Sequence, residues 1–177
     1  MFDLKNLADF LTIFRGSLAV VLVWLGLSQG KAGLGVAFWF MLADWTSDIL
    51  DGFFARRSKN PTHTWIGDHD LEVDILVSSG LLIYMLLSGI VVWQIGLGYL
   101  LFWIYIFKQW GYNRSLGMLL QAPIYGWFII VSIKEVPGCG WWFLGWILAV
   151  VIITWPRFPE HVVPEFLEGI HLTRKGS

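Results

Sequence analysis

Seven of the thirteen acidic residues in this chain, Asp44, Asp48, Asp51, Asp68, Asp70, Glu72 and Asp74, fall in the stretch 44–74. Asp48 and Asp51 follow Asp44 at intervals of four and three, so on an α-helix the three line one face. Asp70 and Asp74, four apart, do the same on a following helix. If the segment 57–67 brings the two helix ends together antiparallel, Asp48, Asp51, Asp70 and Asp74 converge from two sides. Like charges a few ångströms apart in a partly dehydrated site force some carboxyls to protonate unless cations neutralise them. Oxygen-only donors favour hard divalent ions such as Mg²⁺, Mn²⁺ or Ca²⁺ over zinc. Four carboxylates can bridge two such ions about 3.5–4 Å apart, an arrangement suited to displacement at phosphorus. Gly52 removes a side chain where backbone or ligand comes close, Ala55 follows on nearly the same face, and Arg56 offers a planar fork to phosphate. Asp68, Glu72, Arg57 and Lys59 read equally well as solvated helix ends, and His63 and His69 as loop residues rather than ligands.

The elements that must carry these residues are apolar. The chain has 177 residues, of which 56% are hydrophobic and 14% charged, against about 25% charged in an ordinary soluble domain. Its mean hydropathy is +0.65, which points to a membrane. A net charge of -1 with scattered basic residues excludes nucleic-acid binding, which needs a basic stripe. One cysteine, Cys139, rules out an internal disulfide framework and a multi-cysteine metal site. The N-terminus lacks the basic start and apolar run of a removable signal peptide.

Six apolar stretches of roughly bilayer length are expected as helices, at about 11–28, 34–56, 70–93, 97–110, 118–133 and 141–155. The predicted fold class is therefore all-α, a polytopic integral membrane protein of six transmembrane helices in a single membrane domain over 1–177. Residues 2–11 read as an amphipathic interfacial segment or as the beginning of the first helix. Residues 156–177, with Pro156, Pro159 and Pro164, read as a tail. Arg15, near the start of the first stretch, reads as a snorkelling side chain. Trp93, Trp110, Trp141, Trp142 and Trp155 stand near predicted span ends, as interfacial aromatic belts do. Alternate loops place Lys5, Arg56, Arg57, Lys59, Lys108, Arg114, Arg157, Arg174 and Lys175 on one side and only Lys31 and Lys134 on the other. The positive-inside rule makes the first side cytoplasmic, with both termini and the acidic cluster.

The pattern Asp48-x-x-Asp51-Gly52-x-x-Ala55-Arg56, followed by Asp70-x-x-x-Asp74, resembles the signature of the CDP-alcohol phosphotransferase (CDP-alcohol phosphatidyltransferase) family. Leu11-Thr12-Ile13-Phe14-Arg15 is similar to a second family pattern, Asn-x-x-Thr-x-x-Arg, with Asp9 where that pattern has Asn. The family's glycine stands four residues before its third aspartate. Here that position is Ile66, while Gly67 is three before Asp70, and the interval from Arg56 is one residue longer than the pattern. Read as one extra loop residue, this makes Asp70 the third aspartate; otherwise Asp68 is.

The resemblance implies a six-helix membrane enzyme, commonly a homodimer, with Asp48, Asp51, Asp70 and Asp74 holding Mg²⁺ or Mn²⁺ as two ions. Asp74 would also take the proton of the acceptor hydroxyl. Gly52, Ala55 and Arg56, with Thr12 nearby, would border the CDP group. The implied partners are a CDP-linked lipid donor, foremost CDP-diacylglycerol, a small or phosphorylated alcohol acceptor, and membrane lipids. The reaction releases CMP and makes a phospholipid, in a bacterial or archaeal plasma membrane. Lys108 and Arg114, with Asn113, are the candidates for choosing the acceptor, beside a plain anchoring role for the two charges. Gln121, Pro123 and Tyr125 could line the same cavity. A rival reading makes the acids the ion site of a divalent-cation transporter or channel. It leans on Asp44, the deepest acid, and needs a polar path toward the opposite face, which the sequence does not offer.

Overall fold

The computed structural model of the chain describes residues 4–57, 70–111 and 113–155. Among these there are six α-helices and no strand: α1 (Leu4–Ser28), α2 (Leu34–Arg57), α3 (Asp70–Leu87), α4 (Trp93–Trp110), α5 (Arg114–Glu135) and α6 (Pro137–Thr154). The all-α expectation holds for the described residues. Residues from Leu4 run into α1 without a break, so the described part of the N-terminal stretch is the first helix's beginning. The chain divides into two compact units, residues 1–96 and 97–177, with the boundary inside α4.

In the first unit α1 packs against both α2 and α3. Its buried face is Thr12, Arg15, Leu18, Ala19, Leu22 and Leu25, a helical stripe, whereas Phe10, Ile13, Phe14, Val20, Trp24 and Leu27 point outward. Helices in lipid gain little from hiding apolar surface from water, so close packing must hold them together. The pair Gly80 and Ala19 provides it. A Cβ at Gly80 would lie 2.8 Å from the Ala19 carbonyl oxygen and 2.9 Å from its Cα, so α1 and α3 touch backbone to backbone there.

Helix α1 stops at Gln29 and Gly30, the latter with φ of 56°, a left-handed terminus that favours glycine. A single 3₁₀ turn, Gly30–Gly33, leads into α2. The Tyr84 hydroxyl of α3 donates to the Gly30 carbonyl at 3.2 Å, tying this turn to the far end of α3. On α2 the buried stripe begins with Leu34, Ala37, Phe38 and Met41 and continues with Asp44 and Ser47. The face that packs on α1 thus changes from apolar to acidic along the helix. The Thr46 and Ser47 hydroxyls donate back to the carbonyls of Leu42 and Ala43, which satisfies them within the helix.

In the second unit α5 and α6 form a hairpin with only Val136 between them. Asn113 caps α5, its side chain accepting from the Leu116 N–H at 2.9 Å. Pro137 starts α6, and a Cβ at Gly140 would lie 2.4 Å from the Ile133 Cα, so the tight turn requires glycine there. Phe128 and Phe143 meet edge to face between the two helices at 6.0 Å. The Tyr99 hydroxyl of α4 donates to the Leu120 carbonyl of α5.

Two segments among the described residues are long and apolar enough by themselves to cross a bilayer, Asp9–Ser28 with mean hydropathy 2.0 and Arg114–Glu135 with 1.7, and Pro137–Ile153 is apolar but shorter. Helix α2 carries three acids, Asp44, Asp48 and Asp51, from its middle onward.

Candidate functional site

A charged residue sits in the middle of the buried stripe of α1. Arg15 is 2% exposed and lies between Thr12 and Leu18, both also buried. Its position on that face, rather than on the outward one, directs the guanidinium between α2 and α3. There each of its three nitrogens meets a different acid. Nε donates to Asp44 Oδ1 at 3.3 Å, Nη1 is 2.8 Å from Asp48 Oδ1, and Nη2 donates to Asp74 Oδ1. The reading of Arg15 as a snorkelling side chain is therefore corrected. A guanidinium set between Thr12 and Leu18 on a packed face reaches an internal acid more readily than it reaches the interface.

Burial grades across the cluster. The Asp44 side chain is 1% exposed, that of Asp74 25% and that of Asp48 46%. Asp44 is the closed end and Asp48 and Asp74 form the open end. The planar fork explains the choice of arginine, because a lysine ammonium is a single point of charge and could not span three carboxylates on two helices. One guanidinium against three carboxylates leaves a formal charge of -2 on these four residues (+1 - 3). An excess of that sign is what a divalent cation would offset.

The expected site residues stand as follows. Asp48 and Asp74 are brought together from α2 and α3, and Thr12, 5% exposed, lies one turn from Arg15 on α1. Asp51, Gly52, Ala55 and Arg56 belong to the last turns of α2, and Asp70 is the first residue of α3; their side chains lie outside the described residues. Asp68, His63, His69 and the tail 156–177 lie outside them altogether. Lys108, in the last turn of α4, and Arg114, the first residue of α5, are exposed members of the second unit. Asn113 is the cap of α5. Gln121 is buried, Pro123 exposed and Tyr125 half-buried on the same helix.

Arg15 was expected only as part of the second family pattern, and Asp44 only as the ion site of the rival reading. The signal for Arg15 was present, since its spacing from Leu18, Ala19, Leu22 and Leu25 puts it on their face. Asp44 differs from Asp48 by one turn only, and burial, which spacing does not reveal, separates them. Among the described residues no group of three or more His, Cys, Asp or Glu side chains is arranged as a metal-ion cage. Asp44, Asp48 and Asp74 are spread around the guanidinium instead. The donor chemistry nevertheless suits a hard cation, because every acid here offers carboxylate oxygen only, and all three already turn toward one cationic group.

A family model described as CDP-alcohol phosphatidyltransferase matches residues 5–153. No curated protein and no solved structure matches the chain.

Proposed function

The chain belongs to the CDP-alcohol phosphatidyltransferase family, and on that premise we propose that it transfers the phosphatidyl group of CDP-diacylglycerol to an alcohol, releasing CMP and forming a phospholipid. The family establishes a membrane-associated transferase acting on a CDP-alcohol; the donor lipid and the residue roles are our reading. The observation that carries it is the meeting of Asp48 on α2 with Asp74 on α3 around Arg15. These two aspartates are the second-helix and third-helix members of the motif.

In this reading Asp48, Asp51, Asp70 and Asp74 hold divalent metal, Mg²⁺ or Mn²⁺, as two ions. Bound there, the metal supplies positive charge to the donor's pyrophosphate and makes CMP a better leaving group. Asp74 accepts the proton of the acceptor hydroxyl. The hydroxyl oxygen forms its new bond to the phosphorus of the phosphatidyl group as the bond from that phosphorus to CMP breaks. The open flank of Asp74, a quarter exposed, suits a group that must meet an alcohol arriving from outside. Gly52, Ala55, Arg56 and Thr12 border the CDP group, and Lys108 and Arg114 select a phosphorylated acceptor.

All six helices cross the membrane, with both termini and the acids on the cytoplasmic side, and the protein works as a homodimer. The basic residues concentrated in alternate loops support that orientation. The transporter reading loses its main footing, because Asp44, the acid it depended on, is paired with Arg15. The test is to incubate the purified protein with CDP-diacylglycerol, Mn²⁺ or Mg²⁺ and a panel of alcohols, including glycerol phosphate and inositol phosphate. One alcohol should yield a phospholipid in step with CMP. Formation of no lipid product with any of them contradicts the proposal.

A further inference from the structure

The three acids do not share Arg15 equally, and the inequality suggests how the site exchanges one cation for another. The Asp44 carboxylate and the Arg15 side chain are both almost wholly enclosed, at 1% and 3% exposure. Separating that inner pair would strand two buried charges, which is strongly unfavourable. The outer contacts are to less enclosed acids, Asp48 at 46% and Asp74 at 25% exposure. They are made by the two terminal nitrogens, beyond the Nε that faces Asp44. Coordinated rotations along the side-chain stem can pivot the planar guanidinium about its Nε contact, withdrawing Nη1 and Nη2 while it stays beside Asp44.

We propose that Arg15 is a tethered counter-cation: anchored on Asp44, it neutralises and holds together Asp48 and Asp74 before divalent metal arrives, and metal binding displaces it from those two acids but not from Asp44. This rests on the metal-dependent reading given above and adds to it a competition built into the chain. The site keeps its acids in register between turnovers, at the expense of metal affinity. Asp44, outside the family motif, then has a role as the residue that keeps Arg15 in the site when its outer contacts are lost.

The test is Mn²⁺ binding followed by electron paramagnetic resonance on purified protein in detergent, without lipid substrate. Arg15→Gln removes the competitor, and its Mn²⁺ affinity should rise at least tenfold over the natural chain. Its thermal stability without metal should fall, and saturating Mn²⁺ should restore more of it than Mn²⁺ adds to the natural chain. The double variant Arg15→Gln with Asp44→Asn removes the stranded inner charge and keeps the test open should the single variant fold poorly. Its Mn²⁺ affinity should stay within threefold of the single variant, or, if only the double folds, at least tenfold above the natural chain. An unchanged or weakened affinity in Arg15→Gln overturns the displacement. A clear loss of affinity in the double variant relative to the single one makes Asp44 a metal ligand and overturns the anchor. Absence of Mn²⁺ binding in the natural chain and in both variants overturns the metal reading itself, which distinguishes that failure from the other two.

Discussion

Replacing Gly80 by alanine tests whether the contact between α1 and α3 positions the acidic site. The added Cβ would sit 2.8 Å from the Ala19 carbonyl oxygen, 2.9 Å from its Cα and 3.1 Å from its Cβ. Two of these three atoms belong to the backbone, so no rotamer change relieves the overlap. The helices must separate by roughly half an ångström to restore ordinary contact, and a gap of that order forfeits a quarter or more of the dispersion well along neighbouring pairs. Overpacking of this kind costs about 1–3 kcal/mol, against which alanine recovers about 1 kcal/mol of helix propensity. The net expectation is a loss of about 0–2 kcal/mol.

Gly145→Ala is the control, because a Cβ there meets nothing within 4 Å; it should be neutral or stabilising by up to about 1 kcal/mol. The assay is thermal unfolding in one detergent, followed by tryptophan fluorescence, with CMP release measured in parallel. Ala19 is one turn from Arg15 along α1. Widening at Gly80 should therefore loosen the Arg15 contact to Asp74, and activity should fall further than stability alone predicts. Gly80→Ala with stability equal to or above Gly145→Ala would refute the close-packing account.

Four further outcomes follow from named contacts. Asp44→Asn should destabilise the protein by about 1–3 kcal/mol, because the buried inner ion pair becomes a hydrogen bond to a neutral amide while Asp48 and Asp74 still face Arg15; thermal unfolding without metal checks it. Asp74→Asn keeps an acceptor for Nη2 and should fold, while turnover drops about 10²–10⁴-fold through loss of the base, measured as initial rate of CMP release. Tyr84→Phe removes the hydroxyl that holds Gly30 and should cost about 1 kcal/mol with little effect on activity, read from the same two assays. Gly140→Val, with its Cβ pressed on the Ile133 backbone, should lower expression and stability through the α5–α6 hairpin.

Much of this arrangement is legible in the chain because it is local. The intervals between Asp44, Asp48 and Asp51, and between Asp70 and Asp74, are short enough to assign acids to helix faces. The apolar stretches likewise gave the helices in their observed order. What escaped is long-range. Arg15 meets Asp44 across 29 positions and Asp74 across 59, and no periodicity within one helix carries that pairing. The placement of Arg15 on the Leu18, Ala19, Leu22 and Leu25 face was visible, but a positive charge near a helix start fits the interface equally well. Gly80, whose lack of a side chain lets α3 touch α1 at Ala19 one turn from Arg15, permits the close approach in which Arg15 meets Asp74. Similarly, Tyr84 gives no sign in sequence that its hydroxyl belongs to Gly30, because the partner is a carbonyl, which every residue has.

If the acids gathered by α2 and α3 are the site of metal-dependent transfer from a CDP-alcohol, CMP release must depend on both the metal and those acids. The most direct measurement is CMP release from CDP-diacylglycerol by the purified protein, with the acceptor alcohol present, as Mn²⁺ is titrated from chelated to saturating. Release should be absent under chelation, rise saturably with metal, and lose nearly all of that rise in Asp48→Asn. Release that persists under chelation, or that survives Asp48→Asn undiminished, would contradict that assignment.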